Sequence, residues 1–472
     1  MQQKHSLRQV FNAFDLFPLS VSSIGPVFSI AATGGVMAAL AGIWTLGAIL
    51  ALAIPFIISG LVLKTLNKHF PNAGASYHWS ARIMGKSMSR FQAWILIIAY
   101  FTSIPPIAIP AANYTLALVA PKMASNNFVV VFTCLGWLAF AMVPLLLGAK
   151  PTSNITKVFF GLEIVFLIFF TVLGLVKFHL LHVPIHTHGF PIKGFVITMV
   201  VAATILDGWE IDSFAAEESM RPRKDPGFSG LVGLGLGLLF YALIYPMLFL
   251  EVPINHLANS TDPLNIWSER LLGSHSFIML IPIIGSTAGG LWLTTYILTR
   301  ALYAMGRDNV IPQSFSRVNS RQVPVFGTVL VIGLTALVVI VETFITSLSG
   351  FFNLILSSAG FFLLAEFFLD NLSCCVFLFY AHKKLPDVQL HPHDHRYLKF
   401  FSILSCIIIL SIMIAFFMFA PRSIGNGIDQ TVTTLLIGGI IFAFITKGRH
   451  EIKLAELRDH ESSLATTKVL NG

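Results

Sequence analysis

The stretch ATILDGWEIDSFAAEESMRPRKDPG, residues 203–227, places three carboxylates directly after an almost purely apolar run. Asp207, Glu210 and Asp212 fall within six residues, and a basic, proline-rich segment follows them. A carboxylate that faces lipid at mid-bilayer costs roughly 2.5 to 3.5 kcal/mol on insertion scales. If the apolar run crosses a membrane, these acids must therefore face protein or water.

The composition of the whole chain indicates a membrane protein. Its 472 residues are 55% hydrophobic and 11% charged, with a mean hydropathy of +0.79, whereas soluble domains carry roughly a quarter charged residues. Apolar runs of about 20 residues are long enough to cross a bilayer as helices. The net charge of +8 is spread over alternate loops, so nucleic-acid binding is not expected.

A window of about 19 residues predicts twelve membrane-spanning helices. Basic residues concentrate before the first span and in every second loop, which predicts a multi-pass protein of the cell membrane with both termini cytoplasmic. We expect tails over 1–10 and 448–472, a helical domain over 11–447, and no cofactor. The predicted spans lie near 12–36, 39–63, 91–118, 127–148, 155–178, 194–215, 228–252, 277–303, 325–346, 352–380, 398–420 and 430–446.

Two predicted spans carry helix-breaking residues in corresponding positions. The first contains SSIGP, residues 22–26, where Pro26 removes a backbone donor and Gly25 tolerates unusual dihedral angles. The sixth contains LDGWE, residues 206–210. Broken helices five spans apart are typical of inverted-repeat transporters that bind their substrate between the breaks. Simple kinks are the alternative, because Gly and Pro are common in membrane helices.

A continuous helix cannot shelter all three acids of the sixth span on one face. At 100° per residue, Asp207 and Glu210 lie about 60° apart, whereas Asp212 points nearly opposite Glu210. We expect a break at Gly208 to turn Asp207 and Glu210 toward a cavity. The role of Asp212 is left open.

Further acids fall within or near the ends of other predicted spans. Glu163 lies in the fifth span, and Glu366 and Asp370 lie four residues apart on one face of the tenth. We expect no Lys or Arg deep in a span, so the pathway favours cations such as protons or an amine. Glu251, Glu342 and Asp370 lie near membrane edges, where contact with water is expected.

Three stretches resemble the amino acid, polyamine and organocation transporter superfamily, and within it the amino acid permeases. GWE at 208–210 is followed, at the offset typical of that family's sixth span, by the glutamate pair at 217–218. FPNAGASYHWS at 70–80 resembles the start of its third span. TRALYAMGRDNVIPQSFSRVNSRQVPVFG at 299–327 resembles the exit from its eighth.

This resemblance implies an all-α integral membrane protein of twelve transmembrane helices, with a five-plus-five inverted repeat, broken helices 1 and 6, and two extra helices. The implied repeats cover about 11–178 and 194–380, and the extra helices about 398–446. The resemblance also implies that the substrate's carboxylate and amine bind the unwound backbones of the first and sixth spans. It places substrate-binding residues at Ser22, Ser23, Ile24, Gly25, Pro26, Ile205, Leu206, Asp207, Gly208 and Trp209.

The chain departs from the family pattern at two places that bear on mechanism. Many members carry two or more glycines in the first break, whereas this chain has one glycine followed by proline. Some proton-coupled members carry a lysine inside the fifth span, where this chain has Glu163. Glu163 and Glu210 are therefore candidates for proton coupling. Glu366 and Asp370 are candidates for contacts with a cation, and Trp209 for stacking on a bound amine or gating.

The sequence favours a secondary transporter that moves an amino acid or related amine by alternating access, coupled to protons. The alternative on the same fold is an importer or exchanger of polyamines or other organic cations, with Asp207, Glu366 and Asp370 holding a second amine. A nutrient sensor that does not transport is an alternative from another class. A channel fits poorly, because one long pseudo-repeated chain lacks a repeated selectivity ring.

Two simpler interpretations concern loop residues. Glu217 is expected to pair with Arg221 one turn further on. An enzyme is not expected, because the loop histidines lack an accompanying nucleophile or carboxylate motif, and solvated side chains are expected rather than metal ligands. Those histidines are His179, His182, His186, His188, His391, His393 and His395.

Overall fold

The computed structural model describes residues 7–184, 189–342, 344, 348–380, 385, 395–425 and 427–447, with the backbone alone at 348, 349 and 351. These residues form helices, and the β pairing among them is one isolated bridge between Phe11 and Ser219. Ten helical stretches in this part of the chain are long and apolar enough to cross a membrane. Ala13–His69 contains the first two predicted spans, and the shorter apolar helix Ile192–Ile205 corresponds to the sixth. The all-helical fold class is therefore confirmed, whereas the arrangement of twelve spans stays a prediction.

The helices follow one another with short connections. The first half of the chain contains α1 (Ala13–Ile24), α2 (Pro26–Ala41), α3 (Thr45–His69), α4 (Ala75–Ile83), α5 (Lys86–Ser103), α6 (Pro105–Val119), α7 (Asn127–Leu147) and α8 (Ala149–Leu181). The second half contains α9 (Ile192–Ile205), α10 (Ile211–Phe214), α11 (Phe228–Glu251), α12 (Ile254–Ala258), α13 (Pro263–Leu272), α14 (Leu280–Arg307), α15 (Val325–Glu342) and α16 (Leu348–Phe379). They are followed by α17 (Arg396–Ser423) and α18 (Ile428–Lys447).

The first predicted span is broken between α1 and α2. α1 begins with a capping box between Asn12 and Asp15 and ends at Gly25, which adopts a left-handed conformation with φ of 54°. Pro26 then begins α2. At the first position of a helix its missing N–H costs no intrahelical hydrogen bond. The Gly-Pro pair thus ends one helix and begins the next.

The sixth predicted span is broken between α9 and α10. α9 ends at Ile205 and helix resumes at Ile211, with Gly208 between them at φ of 101°. A Cβ on Gly208 would lie 2.7 Å from Ser23 Oγ and 2.8 Å from the Ser23 carbonyl carbon. Both the backbone conformation and this close approach require glycine. The two broken helices are therefore in direct contact.

Asp212 stabilises the start of α11. Its Oδ2 accepts hydrogen bonds from the amides of Gly227 and Gly230, each at 2.6 Å. Gly227 precedes α11 and Gly230 lies in its first turn. The first amides of a helix have no partner within it and favour a nearby negative charge. The role that the sequence left open for Asp212 is thus helix capping.

Three acids that were expected to meet water are buried instead. Glu251 and Asp370 are fully buried, and 3% of Glu342 is exposed. Glu251 accepts a hydrogen bond of 2.6 Å from Trp267 on α13, a helix that covers this end of α11. The expectation was wrong for Glu251 and Asp370, because the position of an acid along its own helix does not show what the neighbouring elements cover, whereas Glu342 lines a cavity.

Candidate substrate and coupling site

A small cavity lies where the two breaks meet. We call it the inner cavity; its lining includes Ser23, Ile24, Ile205, Asp207 and Thr294. Its volume is ≈ 40 Å³, far below the roughly 300 to 1,000 Å³ typical of ligand pockets. Substrate binding at the two breaks therefore requires the cavity to enlarge.

Four of the ten predicted substrate-binding residues line the inner cavity: Ser23, Ile24, Ile205 and Asp207. Ser23 Oγ and Asp207 Oδ1 are buried without a hydrogen-bond partner among the described residues, although the Asp207 carboxyl group also neighbours the Glu210 carboxyl group within hydrogen-bond reach. Buried polar atoms without a partner are uncommon. These two atoms are therefore the best-placed candidates to bind a polar group of the substrate. The remaining predicted residues lie outside this lining: Ser22, Gly25, Pro26, Leu206, Gly208 and Trp209.

Trp209 is fully buried and packs away from the inner cavity. Its ring stacks on Phe367, with centroids 5.6 Å apart and planes 11° apart. Stacking on a bound amine or gating by Trp209 would require the ring to leave Phe367, so both roles stay predictions.

Glu163 covers the N-terminus of α2. Its Oε1 accepts a hydrogen bond of 3.1 Å from the Val27 amide and one of 2.7 Å from the Ser286 hydroxyl. Ser286 Oγ in turn accepts a hydrogen bond of 3.1 Å from the Phe28 amide. Helix N-terminal amides of this kind suit an anion. The amides expected to bind a substrate carboxylate are therefore bonded to side chains of α8 and α14.

Hydrogen bonds connect the second break to α5, α16 and α4. Tyr100 donates a hydrogen bond of 2.8 Å to Glu210, and its hydroxyl also lies 3.2 Å from Glu366 Oε1. Ser76 Oγ lies 3.2 Å from Glu366 Oε1 and 2.7 Å from Asp370 Oδ2. We call these five residues the acid string. Each hydroxyl has one proton to donate and contacts two carboxyl groups, so the string is fully bonded only if carboxyl protons are shared along it.

Glu210 is the member of the acid string that forms hydrogen bonds with the backbone of the second break. It accepts hydrogen bonds from the Gly208 amide at 3.1 and 3.0 Å. Glu210, Glu366 and Asp370 do not line the inner cavity. The predicted turn toward a cavity therefore holds for Asp207, whereas Glu210 turns into the protein.

Ion pairs cover the side of the molecule where α14 ends. Arg307 donates two hydrogen bonds of 2.8 Å to Glu217, one to each carboxylate oxygen. Arg300 likewise contacts both oxygens of Glu218, at 3.2 and 3.1 Å. Tyr296 also donates a hydrogen bond to Glu218. The turn that follows α10 is thus held to α14 on this side.

Two expectations about these charges were wrong. Glu217 pairs with Arg307, while Arg221 pairs with Asp225. Glu217 lies in the 3-10 turn Ala216–Glu218, so the four-residue spacing of an α-helix does not apply to it. No Lys or Arg was expected deep in a span, but Arg300 lies inside α14 and is 1% exposed. It is tolerated there because Glu218 neutralises it.

Residues from all three motifs meet at the Arg307–Glu217 pair. The Ala73 amide donates a hydrogen bond of 3.0 Å to Glu217. Arg307 also donates one of 3.3 Å to Asn72 Oδ1. The three stretches quoted from the sequence therefore form one structural unit. Sequence reasoning found each stretch separately but not their contact.

A larger cavity lies toward the opposite end of α14. We call it the outer cavity; Leu280, the first residue of α14, belongs to its lining. Its volume is ≈ 670 Å³, within the range of roughly 300 to 1,000 Å³ typical of ligand pockets. Ala32 and Phe352 line both cavities. The outer cavity therefore adjoins the inner one, on the side away from Arg307.

Of the seven loop histidines considered as metal ligands, the structure describes His179, His182 and His395. His186, His188, His391 and His393 lie outside the described residues. In the part of the chain that the structure describes, no group of three or more His, Cys, Asp or Glu side chains is placed to hold a metal ion.

Comparisons with known proteins agree on one class of protein, the amino acid permeases and transporters. A family model described as amino acid permease matches residues 11–442. The chain is 25% identical over 308 residues to cationic amino acid transporter 3, mitochondrial, of Arabidopsis thaliana, covering 59% of this chain and 50% of that protein. It is 24% identical over 341 residues to the branched-chain amino acid permease BcaP of Bacillus subtilis, covering 67% and 71%. It is 23% identical over 297 residues to Asc-type amino acid transporter 1 of Mus musculus, covering 60% and 56%.

The chain thus spans about half the length of the Arabidopsis relative that it matches. The family and these relatives are named as permeases or transporters, not enzymes.

Proposed function

Because this chain belongs to the amino acid permease family, whose model matches residues 11–442, we propose that it is a secondary transporter of amino acids or related amines. The substrate binds between the two broken helices, with Asp207 and Ser23 contacting its amine. The observation that carries this proposal is the inner cavity, where these helices meet and present two buried oxygens without a partner. A carboxylate in such a place suits an ammonium group.

We propose alternating access in which the two ends of α14 open in turn. The state described here has the outer cavity beside the inner one and ion pairs over the other side. Opening that other side requires Arg307 to leave Glu217, and Arg300 to leave Glu218. Rearrangement of packed helices between two discrete states is a common basis of such switching.

The proposed coupling ion is the proton, carried by Glu163 and Glu210. Protonation of Glu163 weakens the hydrogen bond that it accepts from the Val27 amide, which frees that amide for a substrate carboxylate. Glu210 bonds the Gly208 amide at the other break, so its protonation changes the second break in the same manner. The test is pH-driven uptake into proteoliposomes by Glu163→Gln and Glu210→Gln, with the exposed Glu269→Gln as the control.

One observation favours a second candidate function, an importer or exchanger of polyamines or other organic cations. The α2 amides that suit a carboxylate are bonded to Glu163 and Ser286, which leaves Asp207 to bind an amine alone. Competition for uptake by alanine, glutamate, arginine, putrescine and spermidine separates the two candidates. Inhibition by putrescine and spermidine favours the second, and inhibition by amino acids alone favours the first.

Counterflow separates a transporter from a nutrient sensor on the same fold. Proteoliposomes loaded with unlabelled amino acid should take up labelled amino acid, and Asp207→Asn should abolish this exchange. A protein that binds amino acids but exchanges none of them is a sensor.

We further propose that the protein lies in the cell membrane with both termini cytoplasmic, because the basic loops gather on one side. Labelling of cysteines placed at Lys122 and Lys224 in intact cells tests this orientation.

A further inference from the structure

The outer cavity carries charge of one sign. Its charged lining residues are Asp262 and Glu342, and none of the described lining residues is Lys, Arg or His. A concave site whose fixed charges are all negative attracts cations.

Glu342 has unused hydrogen-bonding capacity. It is the last residue of α15, is almost fully buried, and its Oε2 has no hydrogen-bond partner among the described residues. The titratable group that faces it from α7 is Cys134, and a thiol is only a weak donor. An unsatisfied buried carboxylate oxygen is costly. A ligand that brings N–H donors and a positive charge would remove that cost.

Asp262, the N-cap residue of α13, also lines the outer cavity. It is half-buried, and its Oδ1 accepts a hydrogen bond of 3.1 Å from the Asn265 amide. The titratable groups that face it are Tyr114 on α6 and Glu269 on α13, neither of them basic. Burial raises the pKa of Asp262 to about 7, although backbone hydrogen bonds act against this shift. Its charge therefore changes near neutral pH.

We propose that the outer cavity is a second binding site, in which Glu342 and Asp262 hold the ammonium or guanidinium group of a cationic amino acid or amine. The substrate then passes Phe352, which lines both cavities, to reach Asp207 in the inner cavity. This inference rests on the proposed transport function and specifies the chemical class of its substrate. The two acids line the cavity from different helices, Asp262 as the N-cap of α13 and Glu342 at the end of α15.

Binding of arginine and of leucine to the full-length protein in lipid nanodiscs tests the proposal. Glu342→Gln and Asp262→Asn should each weaken arginine binding about tenfold, the effect of roughly 1.4 kcal/mol, and leave leucine binding unchanged. Both substitutions keep the size of the side chain, and asparagine is as good a helix cap as aspartate. Asp429→Asn, a partly exposed acid in the first turn of α18 and outside the cavity lining, is the matched control and should bind arginine like the wild type.

The outcomes separate this proposal from the transport proposal. An unchanged arginine affinity in both variants, with an unchanged Tm, overturns the outer site, even if proteoliposomes transport amino acids. The same conclusion follows if the wild type does not bind arginine, or if leucine binding falls as much as arginine binding. If the two variants lose arginine binding selectively but wild-type proteoliposomes show no counterflow, the outer site stands and the transport proposal fails.

Discussion

Arg307 and Glu217 join segments that lie 90 residues apart in the chain through two hydrogen bonds of 2.8 Å. The Arg307 and Glu217 side chains are 17% and 7% exposed. A bidentate pair of an arginine and a carboxylate fixes both distance and orientation. This contact therefore fixes the segment that follows α10 against the end of α14.

Arg307→Ala should destabilise the protein, because it leaves the Glu217 carboxylate buried without its partner. Breaking one side of a buried pair typically costs about 3 to 5 kcal/mol, and thermal unfolding in detergent should show a clearly lower Tm. Arg221→Ala is the control. Its ion pair with Asp225 has an arginine that is 61% exposed, and such pairs contribute about 0 to 1 kcal/mol. Equal Tm values for the two variants would show that the Arg307–Glu217 pair does not hold this segment to α14.

Gly208→Ala should abolish substrate binding. The new Cβ would lie 2.7 Å from Ser23 Oγ and 2.8 Å from the Ser23 backbone, and the left-handed conformation at Gly208 disfavours alanine independently. Gly235→Ala in α11 is the matched control, because a Cβ there meets no atom within 4 Å. We expect Gly235→Ala to bind leucine normally. Normal leucine binding by Gly208→Ala would contradict the contact between the two breaks.

Asp212→Ala should lower stability without changing the pH dependence of uptake. It leaves the amides of Gly227 and Gly230 without their partner, at a cost of about 1 to 3 kcal/mol. Asp212→Asn should cost less, since its side-chain oxygen can still accept one of these hydrogen bonds. Thermal unfolding measures the first effect and a pH profile of uptake the second. A shifted pH profile in Asp212→Asn would mean that Asp212 takes part in coupling.

Arginine binding at the outer cavity should strengthen as the pH rises from 6 to 8. With its pKa raised to about 7, Asp262 is mainly protonated at pH 6 and mainly ionised at pH 8. The ionised form attracts the cation, and arginine keeps its own guanidinium charge throughout this range. Asp262→Asn should flatten the increase. Titration calorimetry at pH 6, 7 and 8 checks the trend, and an affinity that falls with rising pH would contradict the assignment.

The broken spans could be predicted from local signals. Apolar run length identifies helices that cross a membrane, and the Gly-Pro pair at 25–26 and Gly208 are where the first and sixth helices stop. Asp207 was recognisable for the same reason, because an acid at a helix break needs a polar environment. These inferences depend on residues within a few positions of one another.

The partners of the buried acids could not be predicted in that way. Glu163 bonds Val27 across 136 positions, and Ser76 bonds Asp370 across 294. No spacing rule for a single helix reports such contacts. The outer cavity was missed for the same reason, since Asp262 and Glu342 belong to separate helix ends. The expectation that Glu342 meets water was the nearest signal, because Glu342 lines the outer cavity.

Uptake of a labelled amino acid into proteoliposomes under an imposed pH gradient is the most direct test of the central claim, that protons act through Glu163 and Glu210 on the two breaks. We expect accumulation by the wild type and by Glu269→Gln. Glu163→Gln and Glu210→Gln should lose accumulation by a factor on the order of ten, the usual size of coupling between two sites, while counterflow persists. Equal pH-driven accumulation by the wild type and both variants would contradict it.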